Sequence, residues 1–352
     1  MSETNEKKLY FASDYQEGMC EEILDRLAET NRIPVSGYGS DPYSESARAK
    51  IRDAMDAPDA EIYFLAGGTQ TNAVAIAAAL KNYEGVIAAD TGHIAVHEAG
   101  AIEAGSHKVL TVKSENGKID IKALRTMLEG FYADENHEHM VFPGMVYISQ
   151  PTEYGTLYSR QELEELREIC DARKIGLYAD GARLAYALAS AENDVSLADL
   201  ARLTDMFYIG GTKCGAIAGE ALVVTAKYRI PHLLTTIKQR GALLAKGRLA
   251  GISFDTLFTD GLYERLGKRA LMLAEVLRKS LSAMGWQFVS KNPTNQIFVV
   301  ISNRSYEKLK EKVVCSYWEP YDKDHTVIRF ATSWATDEKD VEELIRILKR
   351  LS

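Results

Sequence analysis

Residues 207–215 read FYIGGTKCG, and this stretch decides how the rest of the chain is interpreted. Its first three residues are aromatic or β-branched, which is typical of a buried strand, and the two glycines that follow mark a tight turn. The turn presents one lysine, Lys213. A lone lysine is usually a solvated surface group, so its meaning depends on the residues that other strands deliver beside it.

Seven short apolar runs between about residues 60 and 225 predict a mostly parallel, seven-stranded sheet. They alternate with segments of helical period, which is the pattern of an α/β fold with helices on both faces of the sheet. Helices are expected at 71–82 and 160–174, and Ser159 with Glu162 forms a capping box before the second. The seven runs are EIYFLA, GVIAAD, HKVLTV, MVYISQ, IGLYAD, MFYIGG and ALVVTA.

The chain divides by pattern into an arm and two domains. Residues 1–45 are rich in turn formers and are expected to form an N-terminal arm. Residues 46–254 are expected to form the large α/β domain, and residues 255–352 a smaller α+β domain. The smaller domain is predicted from a long helix near 262–283, the apolar runs WQFVS, QIFVVI and TVIRFA, and a final amphipathic helix.

Composition and charge exclude several classes of protein. The formal net charge is −8 and the isoelectric point is near 5.5, whereas binding to nucleic acid or anionic membranes needs clustered lysine and arginine. The four cysteines lack the spacing of metal ligands, so we expect reduced thiols and no metal site. No apolar segment reaches the span of a bilayer, and the N-terminus lacks the apolar part of a signal peptide. We therefore expect a cytoplasmic protein.

Four strand ends carry residues that suit one ligand. In open α/β sheets, ligands bind outside the carboxyl ends of the strands. Each residue alone has an ordinary explanation, such as a helix cap, a turn or a surface charge. Together they supply an amine for an aldehyde, an anion for a pyridinium, N–H donors for a phosphate and a flat ring, which indicates pyridoxal 5'-phosphate (PLP). These residues are Lys213, Asp180, Gly68 with Thr69, and His93.

The longer motifs around these residues resemble a known family. The runs YADGARL (178–184), GGTKCG (210–215), GGTQTN (67–72) and HIAVHEAG (93–100) resemble those of the low-specificity threonine aldolases, of the β-eliminating lyase family. These are PLP enzymes of fold type I, in the aspartate aminotransferase superfamily, and the likeness covers nearly the whole chain. The resemblance implies a lyase with a large domain built on a mostly parallel seven-stranded sheet and a smaller α+β C-terminal domain.

The resemblance also assigns roles in binding the cofactor. Lys213 forms the Schiff base with PLP, the preceding Thr212 also binds the cofactor, and Asp180 pairs with the pyridine nitrogen. The ring of His93 stacks on the cofactor, while Gly68 and Thr69 hold its phosphate. Arg248 in KGRLAG corresponds to a cationic contact with the cofactor from an adjoining subunit. A homodimer or homotetramer with sites at subunit interfaces is therefore implied.

Three residues correspond to those that bind the substrate carboxylate in the family. They are Ser13 in FASD, Arg183 in the YADGARL run, where it also lies beside the cofactor, and Arg329 in VIRFATS. Arginine suits this role because its planar fork meets a carboxylate with two hydrogen bonds. The expected substrate is a small amino acid.

Two positions depart from the family pattern. Thr152, in SQPTEYGTLYS (149–159), stands where the family has a second active-site histidine, and Ser333 stands where a histidine is usual. The expected reaction is retro-aldol cleavage of a threonine or allo-threonine type of amino acid to glycine and an aldehyde. A base must then take the hydroxyl proton, directly or through a water. His93 through a water is the first candidate, followed by Glu98 and Glu153.

Two alternatives stay open from the sequence. Another PLP reaction on an amino acid, either β-elimination or transamination, is compatible with the same cofactor residues. A non-catalytic binding protein that kept the fold is the alternative from a different class, and the altered loop at Thr152 would be its sign. Retention of the lysine, the aspartate and both arginines together argues against this second alternative.

Overall fold

The fold was analysed in a computed structural model that describes residues 8–351. The first seven residues of the predicted arm and the final Ser352 lie outside the described residues. The strands are β1 (Leu9–Tyr10), β2 (Glu61–Leu65), β3 (Glu84–Ala89), β4 (Val109–Val112), β5 (Ser114–Glu115), β6 (Lys118–Ile119), β7 (Phe142–Ser149), β8 (Gly176–Asp180), β9 (Met206–Gly210), β10 (Glu220–Val224), β11 (Gln296–Ser302), β12 (Val313–Val314), β13 (Ser316–Pro320) and β14 (His325–Ala331).

Helices separate most of these strands. They are α1 (Glu21–Thr30), α2 (Pro42–Ala54), α3 (Gly68–Ala79), α4 (His93–Val96), α5 (Ala101–Ala104), α6 (Ile121–Ala133), α7 (Arg160–Arg173), α8 (Leu184–Leu188), α9 (Leu197–Leu203), α10 (Leu233–Gln239), α11 (Arg248–Leu257), α12 (Leu262–Ala283), α13 (Asn303–Lys310) and α14 (Glu338–Lys349). Residues 137–139 form one 3₁₀ turn. No helix between residues 8 and 351 combines the length and the apolar character that a membrane-spanning segment needs.

The central sheet contains all seven strands that the apolar runs predict. Its order is β2-β10-β9-β8-β7-β3-β4. Only β10, among these strands, runs antiparallel to its neighbours β2 and β9, and the other pairs are parallel. Parallel strands covered on both faces are expected to be apolar throughout, and β8 and β9 are buried along their whole length. The predicted mostly parallel α/β sheet is confirmed.

Successive residues of each strand contribute to two different cores, because side chains alternate between the faces of a sheet. One face carries Val146, Ala179 and Phe207 into the core beneath α7 and α9. The other face packs against α3 and α10, and it carries a row of buried tyrosines, Tyr147, Tyr178 and Tyr208. Their hydroxyl groups become part of the site described below.

The two helices predicted between strands of the large sheet are both present, and their boundaries differ from the prediction by a few residues. Helix α7 spans Arg160–Arg173, and both hydrogen bonds of the Ser159/Glu162 capping box form. Helix α3 begins at Gly68, three residues before the predicted start at 71. The glycine-threonine turn is therefore the first turn of this helix, where backbone N–H groups have no partner within the helix.

The C-terminal part forms a second sheet of three strands, β11-β14-β13, which are antiparallel. Helices α12 and α14 cover it, and α12 spans the predicted 262–283. The run WQFVS forms only an isolated bridge, from Phe288 to Val299. The division into an arm (1–45), a large domain (46–254) and a small domain (255–352) stays a prediction.

The N-terminal segment crosses between the two sheets. Strand β1 pairs in parallel with β12, so it belongs to the C-terminal part although it opens the chain. The carbonyl of Phe11 accepts a hydrogen bond from the Ala331 N–H at 2.8 Å. Three residues later, Asp14 reaches the end of the large sheet. The segment thereby places residues 12–14 between the two sheets.

Candidate active site

The carboxyl ends of the central strands surround a cavity of ≈ 310 Å³, called here the lysine cavity. Most of the cofactor residues predicted from the sequence line it, although they come from distant parts of the chain. Glu153 and Thr152 from the loop after β7 form another part of its wall. The predicted residues in the wall are Gly68, Thr69, His93, Asp180, Arg183, Thr212 and Lys213.

Lys213 is delivered by the turn after β9. The backbone N–H groups of Gly211 and Thr212 both reach the Gly219 carbonyl at 3.1 Å, which fixes the start of this turn. Gly215 adopts a φ of +80°, a conformation that glycine takes without strain. Burial, assisted by the positive charge of Arg183, lowers the pKa of the Lys213 ammonium to about 8. A lysine with a lowered pKa is a better nucleophile toward an aldehyde near neutral pH.

Asp180 ends β8 at the base of the same cavity and is fully bonded. Its Oδ2 accepts from Tyr147 Oη at 2.6 Å and Asn72 Nδ2 at 2.9 Å. Its Oδ1 accepts from Tyr208 Oη at 2.5 Å and the Ala182 N–H at 2.9 Å. Burial alone would raise the pKa of this carboxyl, but His93 and the three side-chain donors outweigh it and lower the pKa. Asp180 is thus held as an anion.

The turn after Asp180 depends on a glycine. A Cβ atom on Gly181 would lie 1.9 Å from the Tyr208 carbonyl oxygen of the adjacent strand. Only glycine fits such an approach, so the chain can leave β8 and position Arg183 beside the cavity. This explains physically why the Asp-Gly-Ala-Arg order belongs to the site.

His93 begins α4, and a buried network connects it to Asp180. Its Nδ1 lies 2.8 Å from Glu98 Oε1, and Asn72 Nδ2 donates to the same oxygen at 2.8 Å and also to Asp180. Glu98 is buried, and its Oε2 has no hydrogen-bond partner among residues 8–351. The Glu153 carboxylate accepts from the His93 N–H at 2.9 Å. The imidazole is thereby fixed at the cavity mouth.

The first turn of α3 presents N–H groups toward the cavity. The Gly67 cap offers no side chain, so the helix start is not satisfied by a capping group. A Cβ on Gly68 would lie 3.0 Å from Tyr208 Oη, which leaves room at this point for little beyond backbone. Unsatisfied N–H groups and the positive end of the helix dipole favour a phosphate here.

Glu220 lies at the start of β10, and the sequence analysis did not identify it. Its carboxylate accepts from Thr212 Oγ1 at 2.8 Å and from the Gly211 N–H at 3.0 Å. Burial raises the pKa of this carboxyl, against the effects of the Thr212 hydrogen bond and of Lys213. Glu220 therefore orients the residue that precedes the lysine.

The three residues predicted to bind the substrate carboxylate do not all line the lysine cavity, unlike most of the predicted cofactor residues. Arg183 lines the lysine cavity, and Asp14 binds its Nε at 2.7 Å and its Nη2 at 3.0 Å. Burial would raise the pKa of Asp14, but Arg183 and Lys213 lower it to about 2. Ser13 does not line the lysine cavity, and its N–H faces the Gln16 side chain at 3.4 Å. In this arm it is Asp14 that contacts the predicted substrate arginine.

Arg329 lies in a second cavity of ≈ 310 Å³, called here the tryptophan cavity. Its guanidinium stands 5.3 Å from the centre of the Trp318 ring, and Tyr154 packs against the same ring at 5.6 Å. Nη1 donates to Gln296 at 2.8 Å, and Nη2 donates to the Ala12 carbonyl at 2.8 Å. Burial lowers the pKa of Arg329 to about 10. Its Nε has no partner among the described residues.

Arg248 and Ser333 line neither cavity, whereas Thr152 forms part of the wall of the lysine cavity. Arg248 donates to the carbonyls of Ile33 and Thr30 and does not line the lysine cavity of its own chain. The predicted contact from an adjoining subunit stays a prediction. The Thr152 hydroxyl is 2.6 Å from that of Thr156, and Ser333 is buried near Thr336. Neither side chain has a basic nitrogen, so neither can take over the role of a histidine.

The residues in the lysine cavity fit PLP. Lys213 offers an amine, Asp180 an anion held by four donors, and the start of α3 N–H groups for a phosphate. The supporting tyrosines had a signal in the sequence, since each stands two residues before the end of its strand. Glu220 had one too, because an acid opens the apolar strand EALVV. The fold and the site therefore define the class of protein as a PLP-dependent enzyme.

Comparison with known proteins gives the family. The profile of the β-eliminating lyase family matches residues 11–304, and the chain belongs to this family. It is 42% identical to the solved threonine aldolase of Leishmania major, with a TM-score of 0.94 over 97% of this chain and 99% of that one. It is 29% identical to the low-specificity L-threonine aldolase of Pseudomonas sp. (strain NCIMB 10558), over 95% of each chain.

A more distant structure supports the fold alone. Aspartate aminotransferase from Thermus thermophilus superimposes with a TM-score of 0.72 at 14% identity, over 99% of this chain and 92% of that one. The predicted family, fold type and PLP dependence are confirmed by these comparisons. The roles of individual site residues stay predictions.

Proposed function

We propose that the enzyme cleaves β-hydroxy-α-amino acids of the threonine and allo-threonine type into glycine and an aldehyde. The carrying observation is that one cavity collects Lys213, anionic Asp180 and the start of α3, beside a second cavity that holds Arg329. Similarity to the Leishmania major threonine aldolase over almost the whole chain supports this reaction type. The proposal is thus an aldolase activity within the lyase family.

The cofactor roles follow from the contacts in the lysine cavity. Bound PLP supplies an aldehyde for an amine and a ring that accepts the electron pair of the broken bond. Lys213 would hold its aldehyde carbon, and Asp180 would keep its ring nitrogen protonated. The three side-chain donors to Asp180 keep that carboxylate ionised. Gly68 and Thr69 would bind the phosphate, and the ring of His93 would stack on the cofactor.

The two arginines would hold the substrate carboxylate. Arg183 is partly neutralised by Asp14, whereas Arg329 keeps a buried Nε without a partner among residues 8–351. A buried, unpartnered guanidinium nitrogen costs free energy that a carboxylate would recover. Arg329 is therefore the stronger anchor, and Ser13 would assist only if the arm moved. This anchoring would orient the substrate, so that the arginines decide which bond to Cα faces the cofactor.

Assembly into a homodimer or homotetramer is part of the proposal, as is a cytoplasmic location. Arg248 would then contribute its charge to the site of an adjoining subunit. The net charge of −8 supports a protein that acts on small molecules rather than on nucleic acid. Sedimentation of the PLP-loaded enzyme tests the assembly directly.

A panel of amino acids tests the reaction. The purified enzyme with PLP is incubated with threonine, allo-threonine and phenylserine, and the products are assayed for aldehyde with glycine, or for ammonia with keto acid. We expect aldehyde and glycine in equal amounts. Ammonia and keto acid would favour β-elimination instead. A protein that binds PLP but turns over none of these substrates would support the non-catalytic alternative.

A further inference from the structure

We propose that His97 is the base that takes the proton from the β-hydroxyl group of the substrate. This inference rests on the proposed aldolase function and concerns the same site. The carboxylates and the histidine that the sequence favours for this step are each engaged elsewhere. His97 lies where a hydroxyl group would pass, and it has free ring nitrogens.

The position of His97 is the main observation. Among the described residues, it is the one that lines both the lysine cavity and the tryptophan cavity. An amino acid whose amine is at the Lys213 end and whose carboxylate reaches Arg329 must extend from one cavity into the other. The Cα atom of such a substrate would then lie near the boundary between the two cavities, which the imidazole of His97 lines.

The fold fixes His97 in that place. It caps the short helix α4, and its N–H donates to the His93 carbonyl at 2.8 Å. Its ring centre is 5.7 Å from that of His93 and 6.2 Å from that of Trp318. The residue is only partly covered in the single chain, and neither ring nitrogen has a hydrogen-bond partner among residues 8–351. Both nitrogens are available to a ligand.

The competing groups are held by the protein. Nδ1 of His93 is bound to Glu98, and the proposed stacking would turn the ring face of His93 toward the cofactor. Glu98 is buried against that imidazole and does not line the lysine cavity. The Glu153 Oε1 accepts from Ser149 at 2.7 Å and from the His93 N–H at 2.9 Å. His97 is the imidazole of the cavity wall without such engagement.

The charges around His97 favour its neutral form. Burial, then the proximity of His93 and Arg329, lowers the pKa of the His97 imidazole. A base must be neutral to accept a proton, so this shift keeps His97 competent at physiological pH. The other charged groups that face it across the two cavities are Asp90, Glu319, Glu153, Asp180, Arg183, Lys213 and Glu220.

All protons and electrons of the proposed step are accounted for within one turnover. The hydroxyl proton passes to a ring nitrogen of His97 as the Cα–Cβ bond breaks and the C=O bond of the departing aldehyde forms. The electron pair of the broken bond stays on the Cα side, and Cα then takes one proton to give glycine. His97 returns its proton to solvent, so no oxidant or reductant is needed.

The test separates hydroxyl deprotonation from the rest of catalysis. His97→Asn keeps a polar side chain without a basic nitrogen, and His139→Asn is the matched control on the exposed 3₁₀ turn. Two reactions are measured with PLP-loaded enzyme: aldehyde release from threonine, and exchange of the glycine Cα proton in D₂O. The exchange needs the cofactor and Lys213 but no hydroxyl base.

For His97→Asn we expect kcat/KM for threonine to fall about 10²- to 10⁴-fold while glycine exchange stays within about threefold of wild type. In the wild type, kcat/KM rises with pH through the His97 pKa, which lies below that of a free imidazole. That acidic limb disappears in the variant, and added imidazole restores part of the cleavage. His139→Asn behaves like the wild type in both reactions.

Two results overturn the role of His97 while leaving the aldolase function intact. The first is a His97→Asn enzyme that still cleaves threonine within about threefold of the wild-type rate. The second is an equal loss of cleavage and exchange, because this would indicate a role in binding the cofactor. A wild-type enzyme that exchanges the glycine proton but releases no aldehyde from any substrate overturns the aldolase proposal itself.

Discussion

The two cavities of the site differ in how completely the chain satisfies their polar groups. In the lysine cavity, both carboxylate oxygens of Asp180 are bonded, and a continuous network runs from them through Asn72 and Glu98 to His93. In the tryptophan cavity, the buried Nε of Arg329 and the ring nitrogens of His97 have no hydrogen-bond partner among the described residues. Asp180 at the cofactor end is thus preorganised within one chain, while the substrate end keeps one guanidinium nitrogen and one imidazole free for a ligand.

The largest effect on activity is expected from a substitution at the cofactor end of the site. Replacing Lys213 by alanine removes the amine that binds the cofactor, so turnover should fall by at least about 10³-fold. The visible absorbance of the lysine-bound cofactor should also vanish. Lys339→Ala, an exposed lysine on α14, is the control. An active and still yellow Lys213→Ala enzyme would contradict the assignment.

The Asp14–Arg183 ion pair lies between the cofactor end and the substrate end of the site. Breaking this pair should have the largest effect on stability. Asp14→Asn leaves the Arg183 charge without its partner, which should cost about 3–5 kcal/mol of unfolding free energy. Asp25→Asn, on the exposed face of α1, should cost little. Chemical denaturation of both variants measures the difference. Equal stability of the two would show that the pair contributes nothing.

The same pair predicts a pH dependence. The pKa of Asp14 is lowered from 3.8 to about 2 in the folded protein, so the unfolded chain binds the proton more tightly. The stabilisation is therefore complete above about pH 4 and is lost as the pH falls toward 2. The Asp14→Asn enzyme should lack this part of the acid dependence, which denaturation curves at several pH values would reveal.

A smaller effect is expected at the substrate end. Trp318→Ala removes the ring that supports the Arg329 guanidinium, an interaction of about 1–2 kcal/mol when partly desolvated. The KM for threonine should rise roughly 5- to 30-fold, with little change in kcat or in cofactor absorbance. Trp318→Phe keeps a ring and should stay near the wild type. A change in kcat alone would place Trp318 in another role.

The smallest effect lies away from both cavities. Ser159→Ala removes one half of the capping box of α7, which should lower the unfolding free energy by about 1 kcal/mol. Activity per folded molecule should not change. Thr126→Ala, an exposed helix position, is the control in thermal unfolding. A loss of activity in Ser159→Ala would show that α7 influences the site.

The lysine cavity was largely predictable from the sequence because its residues sit at strand ends. Apolar runs fix the strands, and parallel strands bring their carboxyl ends to one edge, so Lys213 and Asp180 had to lie close together. Gly68, Thr69 and His93 follow by the same rule. The capping box fixed the start of α7 for an equally local reason.

The contacts across long sequence separations were not predictable. Asp14 binds Arg183 across 169 positions, and nothing in the local sequence shows where an arm will lie. The network through Asn72 depends on how α3 packs against the sheet. The tryptophan cavity needs the C-terminal sheet to be docked, and no periodicity in the sequence specifies that docking.

The N-terminal segment has a consequence for the geometry of recognition. Arg329 is bound to the carbonyl of Ala12, and Arg183 to the side chain of Asp14. Two residues of extended chain span about 7 Å at most, so a single tripeptide sets the spacing between the two guanidinium groups. Lengthening that tripeptide by one residue would change the distance between the two guanidinium groups, and therefore the size of the ligand that fits between them, without altering either arginine.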